Sequence, residues 1–555
     1  MGSQPAIAPE RGGSMESKIA RRAFSVVLTG LLLAAGAGPS HGQDASFLPA
    51  PELEARLERA LGEAGRHAVL PPAAPPGDGR YADLRGEEIH RDLARLTEFS
   101  LESRRSGQPI WGRVMGTPAE RRAAEWVRDR FRALGLEQVE LTPVPLEPQW
   151  TLREVGLTLR AGEGDSSVPL ASAMAGYGSP STPPEGIEAP LVYVGLGTPA
   201  DLRDRDLKGK IALVHSRALA GASFHTGESA VSRIVAAGDA VGVIVMVDQP
   251  GNAQVLTRNG PDGPKLPNLS VGFLDGTYLR KAIEHAPADA PARVRMRIRA
   301  ERVEGLASVA VSAMLPGQGD EVLGFQAHLD GYWQAVTDNG GGVATVLALA
   351  RHYAARPKHE RRRSLLFLVT GGHENGSVGA SHFARHHREL LARTTLVLEL
   401  EHVASTLVSG TIGGHYQPTS IEAPVGIFVT NRSPAVLSAL RAASEHYAIP
   451  VNQDHLPFYW GDIIGLMPTG VPCAGWIGSN FYYHSSLDSL EAVRPRSLER
   501  IARATASVVD ALDAMDRKAL EAGSTPFVMP KTYEGADKEL MSPLRVLLEF
   551  TRSLW

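Results

Sequence analysis

At 555 residues with a formal net charge of -4, the chain is long enough for two or three domains with sizeable cores, and it carries no basic excess that would point to nucleic acid. A single cysteine, Cys473, excludes an intramolecular disulfide framework and any cysteine-based zinc site, so a bound metal would have to be held by histidines and carboxylates. Residues 1–42 have the form of a signal peptide. Lys18, Arg21 and Arg22 precede an apolar run from Ala23 to Gly38, and Ser40, His41 and Gly42 follow before polar Gln43 and Asp44. Export to the periplasm or the exterior is therefore expected, and Arg21 and Arg22 followed by Phe24 resemble a twin-arginine signal. The run is short and glycine-rich for a membrane span. An uncleaved signal anchor is the alternative, and no other membrane association is expected.

Past an Ala/Pro/Gly-rich stretch from Pro49 to Asp83, with a short helix expected at Leu53 to Ala64, a helix is predicted at Glu87 to Phe99. A second follows. Thr117 as N-cap, Pro118 at the first helical position and Glu120 three residues past the cap form a capping-box pattern. Ala123, Val127, Phe131 and Leu134 make the apolar face, and Gly135 stops the helix. A strand is predicted near Val139 to Val144. From about Trp150 to Arg299 the texture changes to strand-like segments separated by Pro/Gly/Ser-rich loops: Leu152 to Leu159, Leu191 to Gly195, Lys210 to Val214, Val241 to Val247 and Val294 to Ile298. Helices are expected near Ser229 to Ala237 and Thr277 to Glu284. Within it, DLKGKIALV followed by AAGDAVGVIVMVD resembles a protease-associated domain, which implies a lid or substrate-restricting wall, with an ornamental insertion as the plainer reading.

From about Val303 strands and helices alternate, which predicts an α/β fold with a mostly parallel or mixed sheet covered by helices on both faces. The charged stretch Lys358 to Arg363 reads as a solvated loop. Predicted strands are Val322 to Ala327, Ser364 to Thr370 and Thr395 to Leu400; helices are expected at Val343 to Ala355, Val378 to Leu391, Ala435 to Tyr447 and Leu498 to Met515. Each strand runs into a metal-competent side chain. Val322 to Ala327 leads into His328, Leu329 and Asp330, and Asp338 and Asn339 precede three glycines and the next helix. LLFLVT leads into Gly371, Gly372, His373 and Glu374, and TTLVLEL into Glu401 and His402. SNFYYHSSLDS places His484 and Asp488 in a loop. One such residue would be an ordinary solvated loop residue. Several of them, at the carboxyl ends of strands that should be neighbours, point to one crevice at the sheet edge where open α/β sheets hold ligands.

HLD followed by TDNGGG, together with YYHSSLDS, resembles metallopeptidase family 28, the di-zinc aminopeptidases and glutamate carboxypeptidases, from Glu87 to about Met515. The resemblance implies a zinc aminopeptidase-like fold with these divisions: 1–42 signal peptide, 43–149 and 301–522 catalytic domain, 150–300 protease-associated insertion, 523–555 C-terminal extension. It implies two zinc ions, one on His328, Asp338 and Glu401 and the other on Asp338, Glu374 and His484, with other divalent metals as alternatives. Asp330 would orient His328, and Asp488 would support the His484 loop. Two positions depart from the family pattern: Glu401 stands where aspartate is usual, and His373 stands in the general-base position usually held by glutamate. The activity implied is cleavage of a peptide or N-acyl amino acid amide bond by an aminopeptidase- or carboxypeptidase-like enzyme, with a proton route through Glu399 or His402 as an option. Alternatives are a non-catalytic binding protein on a peptidase scaffold and a non-peptidase amide hydrolase. Tyr332, Trp333, Tyr459 and Trp460 are offered as an apolar wall of the pocket, with simple packing as an equally weighted reading. No motif specifies an oligomer.

Overall fold

The computed structural model describes residues 78–160, 167–217, 227–249, 251–257, 265–410, 416–453 and 461–525. The signal-peptide segment, the helix expected at Leu53 to Ala64, Tyr459, Trp460 and the chain beyond residue 525 lie outside the described residues.

Two eight-stranded sheets organise what is described. The first contains β1 (Glu137–Pro145), β2 (Ala307–Leu315), β3 (Val322–His328), β4 (Ser364–Thr370), β5 (Thr394–Glu401), β6 (Val425–Val429), β7 (Val451–Gln453) and β8 (Cys473–Gly478). Their spatial order is β1-β2-β4-β3-β5-β8-β6-β7. The central strands β4, β3, β5 and β8 are mutually parallel, whereas β1-β2, β2-β4 and β8-β6 pair antiparallel. Four carboxyl ends therefore open side by side on one edge of the sheet.

The central strands are almost wholly apolar because both faces are covered. Along β4, Leu365, Phe367 and Val369 enter one core and Leu366 and Leu368 the other, the period-2 alternation of a strand. The first core is closed by α1 (Gly86–Arg104), α2 (Pro118–Ala133), α3 (Gly341–Ala354), α5 (Pro434–His446) and α6 (Pro495–Asp513); the second by α4 (Val378–His386) and the turn around Ile463 and Leu466. Helix α3 starts with glycines for a steric reason. A Cβ on Gly342 would run into the carbonyl of Leu400, so only glycine lets α3 enter this close to β5.

Three expectations change. Thr117 and Pro118 do start α2 and Gly135, at φ 75°, ends it, but no capping box forms. The Thr117 hydroxyl donates to the Val114 carbonyl, and Glu120 instead accepts from Gly116 N–H at 2.6 Å and from the Ser308 hydroxyl, because its side chain is drawn into the buried seam against β2. The stretch Lys358 to Arg363 is solvated at Lys358 to Glu360 and at Arg362 but not throughout. Arg361 and Arg363 are buried, Arg361 bonding the Tyr353 and Arg356 carbonyls and Arg363 pairing with Glu321 at 2.9 Å and Asp513 at 3.6 Å. The helix expected over Val378 to Leu391 is two helices, divided at His387, whose backbone is non-helical.

The second sheet is built from residues between Gln149 and Val303. Its entry strand, Gln149–Arg160, pairs antiparallel with its exit strand, Arg293–Val303, so the chain leaves and re-enters the first sheet at neighbouring points. Val294, Met296 and Ile298 point inward while Arg293, Arg295 and Arg297 face solvent, and Arg295 and Arg297 pair there with Glu188 and Glu154. Its interior holds four parallel strands, Ile187–Tyr193, Ile211–Arg217, Gly242–Asp248 and Asn268–Val271. Tyr332 and Trp333, from the loop after β3, are buried in the core of this second sheet. This burial gives both the packing role weighed for them, and the Tyr332 ring also lies edge-on to His484 at 5.0 Å between centroids.

Candidate metal centre

Strand order brings the titratable strand ends together. β3 delivers His328, β4 runs through Gly371 and Gly372 to His373 and Glu374, β5 ends in Glu401 and His402, and the loop after β8 carries His484. The turn at Gly372 needs φ 75°, which glycine adopts without strain. Asp338 arrives from the segment preceding α3. All six side chains other than His373 are buried, while His373 is 16% exposed and is the member of the group that meets solvent.

Asp338 divides its carboxylate between two groups. On one side His328 Nε2 lies 3.2 Å from Asp338 Oδ1 and 3.1 Å from Glu401 Oε1. His402 Nε2 lies 3.2 Å from the same two oxygens. On the other side His484 Nε2 is 3.6 Å from Asp338 Oδ2 and 2.9 Å from Glu374 Oε2. The five ligands expected from the sequence thus meet, and His402, weighed there only as a proton route, joins the first group.

The donor chemistry fits divalent metal. Two nitrogens and two carboxylates on one side, and one nitrogen and two carboxylates on the other, suit zinc without any thiolate. Buried Asp338 Oδ1, His402 Nε2 and His484 Nε2 make no hydrogen bond of good geometry, an arrangement that costs free energy unless these atoms bind a cation. The same groups also offset one another's charge, independently of any metal. Burial alone would raise the Asp338 carboxyl, but the imidazoles of His402 and His328 outweigh it and hold Asp338 well below the usual carboxylate range. Burial likewise presses the His328 imidazole down, and Glu401 and Asp338 overcome it.

The surroundings hold these groups in place. Asn339 Nδ2 donates to the Leu400 carbonyl at 2.7 Å and to Glu401 Oε2 at 3.2 Å, while its Oδ1 accepts from the N–H groups of Gly342 and His402. Asp330 lies beside His328 Nδ1, with its carboxylate Oδ1 at 3.8 Å and its backbone carbonyl nearer. His328 Nδ1 lies 3.0 Å from the Asp330 backbone carbonyl, whereas the Asp330 carboxylate accepts from the N–H groups of His373 and Glu374 and fixes that turn. Asp488 accepts from the N–H groups of Thr337 and Asp338, tying the His484 loop to the shared carboxylate. Burial, reinforced by the nearby Asp338 charge, pushes Asp488 up to about 7 against the pull of those N–H groups.

Two residues that sequence reasoning missed complete the site. His373 Nδ1 is 2.9 Å from Asp462 Oδ1, and the His373 ring stacks on His328 at 3.7 Å between centroids. Asp462 is itself bound by the Thr370 hydroxyl, by Gln326 Nε2 at 2.9 Å and, through its own N–H, by Glu399 Oε1 at 2.6 Å. Burial and His328 lower the His373 pKa, but Glu401 and Asp462 outweigh them and raise it to about 9. Asp462 lies in a loop with no motif, and no spacing pattern could have found it. Arg113 is fully buried and donates to the carbonyls of Leu329, Gln334 and Ala335 and to Ser100 Oγ, gripping the segment between His328 and Asp338.

The inserted sheet reaches this centre through backbone. Leu256 N–H donates to the His484 carbonyl at 2.8 Å, Ser486 N–H to the Gln254 carbonyl at 2.9 Å, and Gln249 Nε2 to the Phe481 carbonyl at 3.1 Å.

Comparison with known proteins finds relatives by both sequence and fold. Residues 310–509 match peptidase family M28 and residues 187–279 match the PA domain. Carboxypeptidase Q of Xenopus laevis is 24% identical over 424 residues, covering 73% of this chain and 81% of that protein. Aminopeptidase YwaD of Bacillus subtilis is 24% identical over 430 residues, covering 73% and 82%. Among solved structures, a zinc aminopeptidase from Bacillus subtilis aligns with TM-score 0.55 at 19% identity over 83% of this chain and 98% of that one. A peptidase M28 precursor from Shewanella amazonensis aligns with TM-score 0.59 at 19% identity over 83% and 97%. These alignments establish the shared fold. Residues 310–509 of this chain are thus similar to the M28 peptidases, with a PA domain inserted ahead of that segment, and the chain is a metallopeptidase-type hydrolase.

Proposed function

We propose that the protein is an exported exopeptidase that holds two zinc ions, uses His373 as its general base and removes a terminal residue from a small peptide or N-acyl amino acid. The observation that carries this reading is the divided carboxylate of Asp338, one oxygen toward His328, Glu401 and His402 and the other toward Glu374 and His484. Zinc held by these residues supplies Lewis-acid polarisation of the scissile carbonyl and a potent nucleophile at neutral pH.

The chain's own residues supply positioning and proton transfer. Contact with Asp462 favours the proton on Nδ1 of His373, and the cations held beside it would offset the carboxylate pull that raises its pKa and disfavour a second proton, which leaves the Nε2 lone pair to accept a proton in the cleft. Asp330 fixes the turn that carries both His373 and Glu374, so base and ligand keep one spacing. After accepting the proton, His373 faces Asp462 and Glu401, which stabilise its positive charge. A histidine base is thereby supported where glutamate is usual. Residues 150–300 are read as a wall beside the cleft, between the catalytic segments 43–149 and 301–522, with 523–555 as an extension. Among the described residues no helix is long and apolar enough to cross a membrane, and export rests on residues 1–42.

The test is hydrolysis of a panel of short peptides and N-acyl amino acids with identification of the products. Chelation should abolish turnover and zinc should restore it. His373→Ala should lower kcat by roughly 10²–10⁴-fold, the usual range for a lost general base. If His373→Glu raised activity from nothing, the wild-type protein would instead be a binding protein on a peptidase scaffold.

A further inference from the structure

We infer that His402 is a fourth protein ligand of the first centre, making the two centres unequal. One is closed by His328, Asp338, Glu401 and His402 and retains its ion; the other, held by Asp338, Glu374 and His484, is open and exchanges its ion. This rests on the metallopeptidase reading and adds to it which ion stays and which is labile.

Successive side chains of a strand point to opposite faces, so Glu401 and His402 should not reach the same point. They do because the backbone turns at His402, which has φ 51°, a left-handed conformation uncommon among residues other than glycine. Neighbouring groups enforce it. His402 N–H donates to Asn339 Oδ1 at 3.3 Å, and its carbonyl lies against Gly478, where any Cβ would collide with it. Strain of this kind persists where the surroundings over-determine it, commonly at functional sites.

The turned side chain is 4% exposed and places Nε2 3.2 Å from both Asp338 Oδ1 and Glu401 Oε1. Neither ring nitrogen makes a hydrogen bond of good geometry. Nε2 thus faces two carboxylate oxygens at ion-pair distance without a well-aligned hydrogen bond to either, the placement of a ring that shares a cation with both carboxylates. Glu401 fits the same account. Its arm is longer than that of aspartate and leaves room for a second nitrogen beside it. Four protein ligands close a zinc site, and three leave a position for water or substrate. His484, Glu374 and the shared Asp338 make the second centre the three-ligand one.

The experiment uses the full-length protein loaded with zinc or, as a spectroscopic probe, with cobalt(II), and measures metal content after dialysis against graded chelator. Wild type should hold two equivalents and release them in two separated steps. His402→Phe should weaken the retained ion by at least the roughly 10–100-fold that loss of a supporting group costs, leaving the labile ion little changed. His402→Cys loaded with cobalt should show a thiolate-to-metal charge-transfer band in the near ultraviolet. Wild type, with only the buried Cys473, should show none. The cysteine variant keeps the inference testable if His402→Phe fails to fold. Two separated steps in His402→Phe at wild-type affinity, or no band from His402→Cys, would overturn the fourth-ligand assignment while leaving the peptidase reading intact. A wild-type protein that binds no metal would overturn that reading as well.

Discussion

Both sheets contain four adjacent parallel strands with apolar interiors, yet among the described residues only the first sheet's strand ends gather a cluster of metal-competent side chains. In the first sheet β4, β3, β5 and β8 finish in, or lead to, Glu374, His328, Glu401 with His402, and His484. In the inserted sheet the strand ending at Tyr193 runs into Val194 and Gly195, and the one ending at Val271 into Gly272 and a helix. The one following Gly242–Asp248 continues to Gln254, Val255 and Leu256, which pair with the His484 loop. The two regions share an architecture and differ in what terminates their strands. Parallel strands create a crevice, and side chains at their ends decide whether it does chemistry or only supports a neighbour.

Perturbing each region in turn should separate these roles. The largest effect is expected at Arg113, whose guanidinium satisfies carbonyls of the loop joining two ligands. Arg113→Met should destabilise the protein by about 3–5 kcal/mol, because the carbonyls it serves are left buried and unpaired, and a denaturant titration would show it. Replacing the base-positioning partner should act on chemistry and leave the fold intact. Asp462→Asn should reduce kcat with little change in KM or melting temperature, whereas a purely structural role would move the melting temperature. A smaller loss is expected from the supporting region. Gln249→Leu removes the hydrogen bond to the Phe481 carbonyl and should cost about 1 kcal/mol of stability, with some loss of the ion on the His484 side. Unchanged metal retention in that variant would confine the insertion to a wall.

The smallest effect is a pH dependence far from the centre. Burial, opposed by Asp83 at 2.8 Å, depresses the His352 pKa below its ordinary value of about 6.5. The unfolded chain therefore binds the proton first as pH falls, so His352 contributes stability that is present above about pH 6.5 and lost below it. His352→Leu should flatten the stability profile in that range, and thermal melts between neutral and mildly acidic pH would reveal it.

The sequence alone determined the elements and their terminal groups. Apolar runs as continuous as those of β3, β4 and β5 can only be buried strands, and His328, Glu374 and Glu401 follow them within a few residues. The family motifs added Asp338 and His484. The strand Cys473–Gly478 went unread because its mixed, glycine-containing composition has no clear period, although it carries the chain to His484. Only the tertiary structure decided how the groups face one another. The backbone turn at His402 brings two consecutive side chains to one point, Asp462 arrives behind His373 from an unpatterned loop, the Asp330 carboxylate binds the amides of the His373 turn, and Asp488 holds the His484 loop through the amides of Thr337 and Asp338. The physical reason is that local patterns report burial and backbone preference, whereas a site depends on strand order, register and the direction of each terminal side chain. Those are settled by packing between segments more than a hundred residues apart.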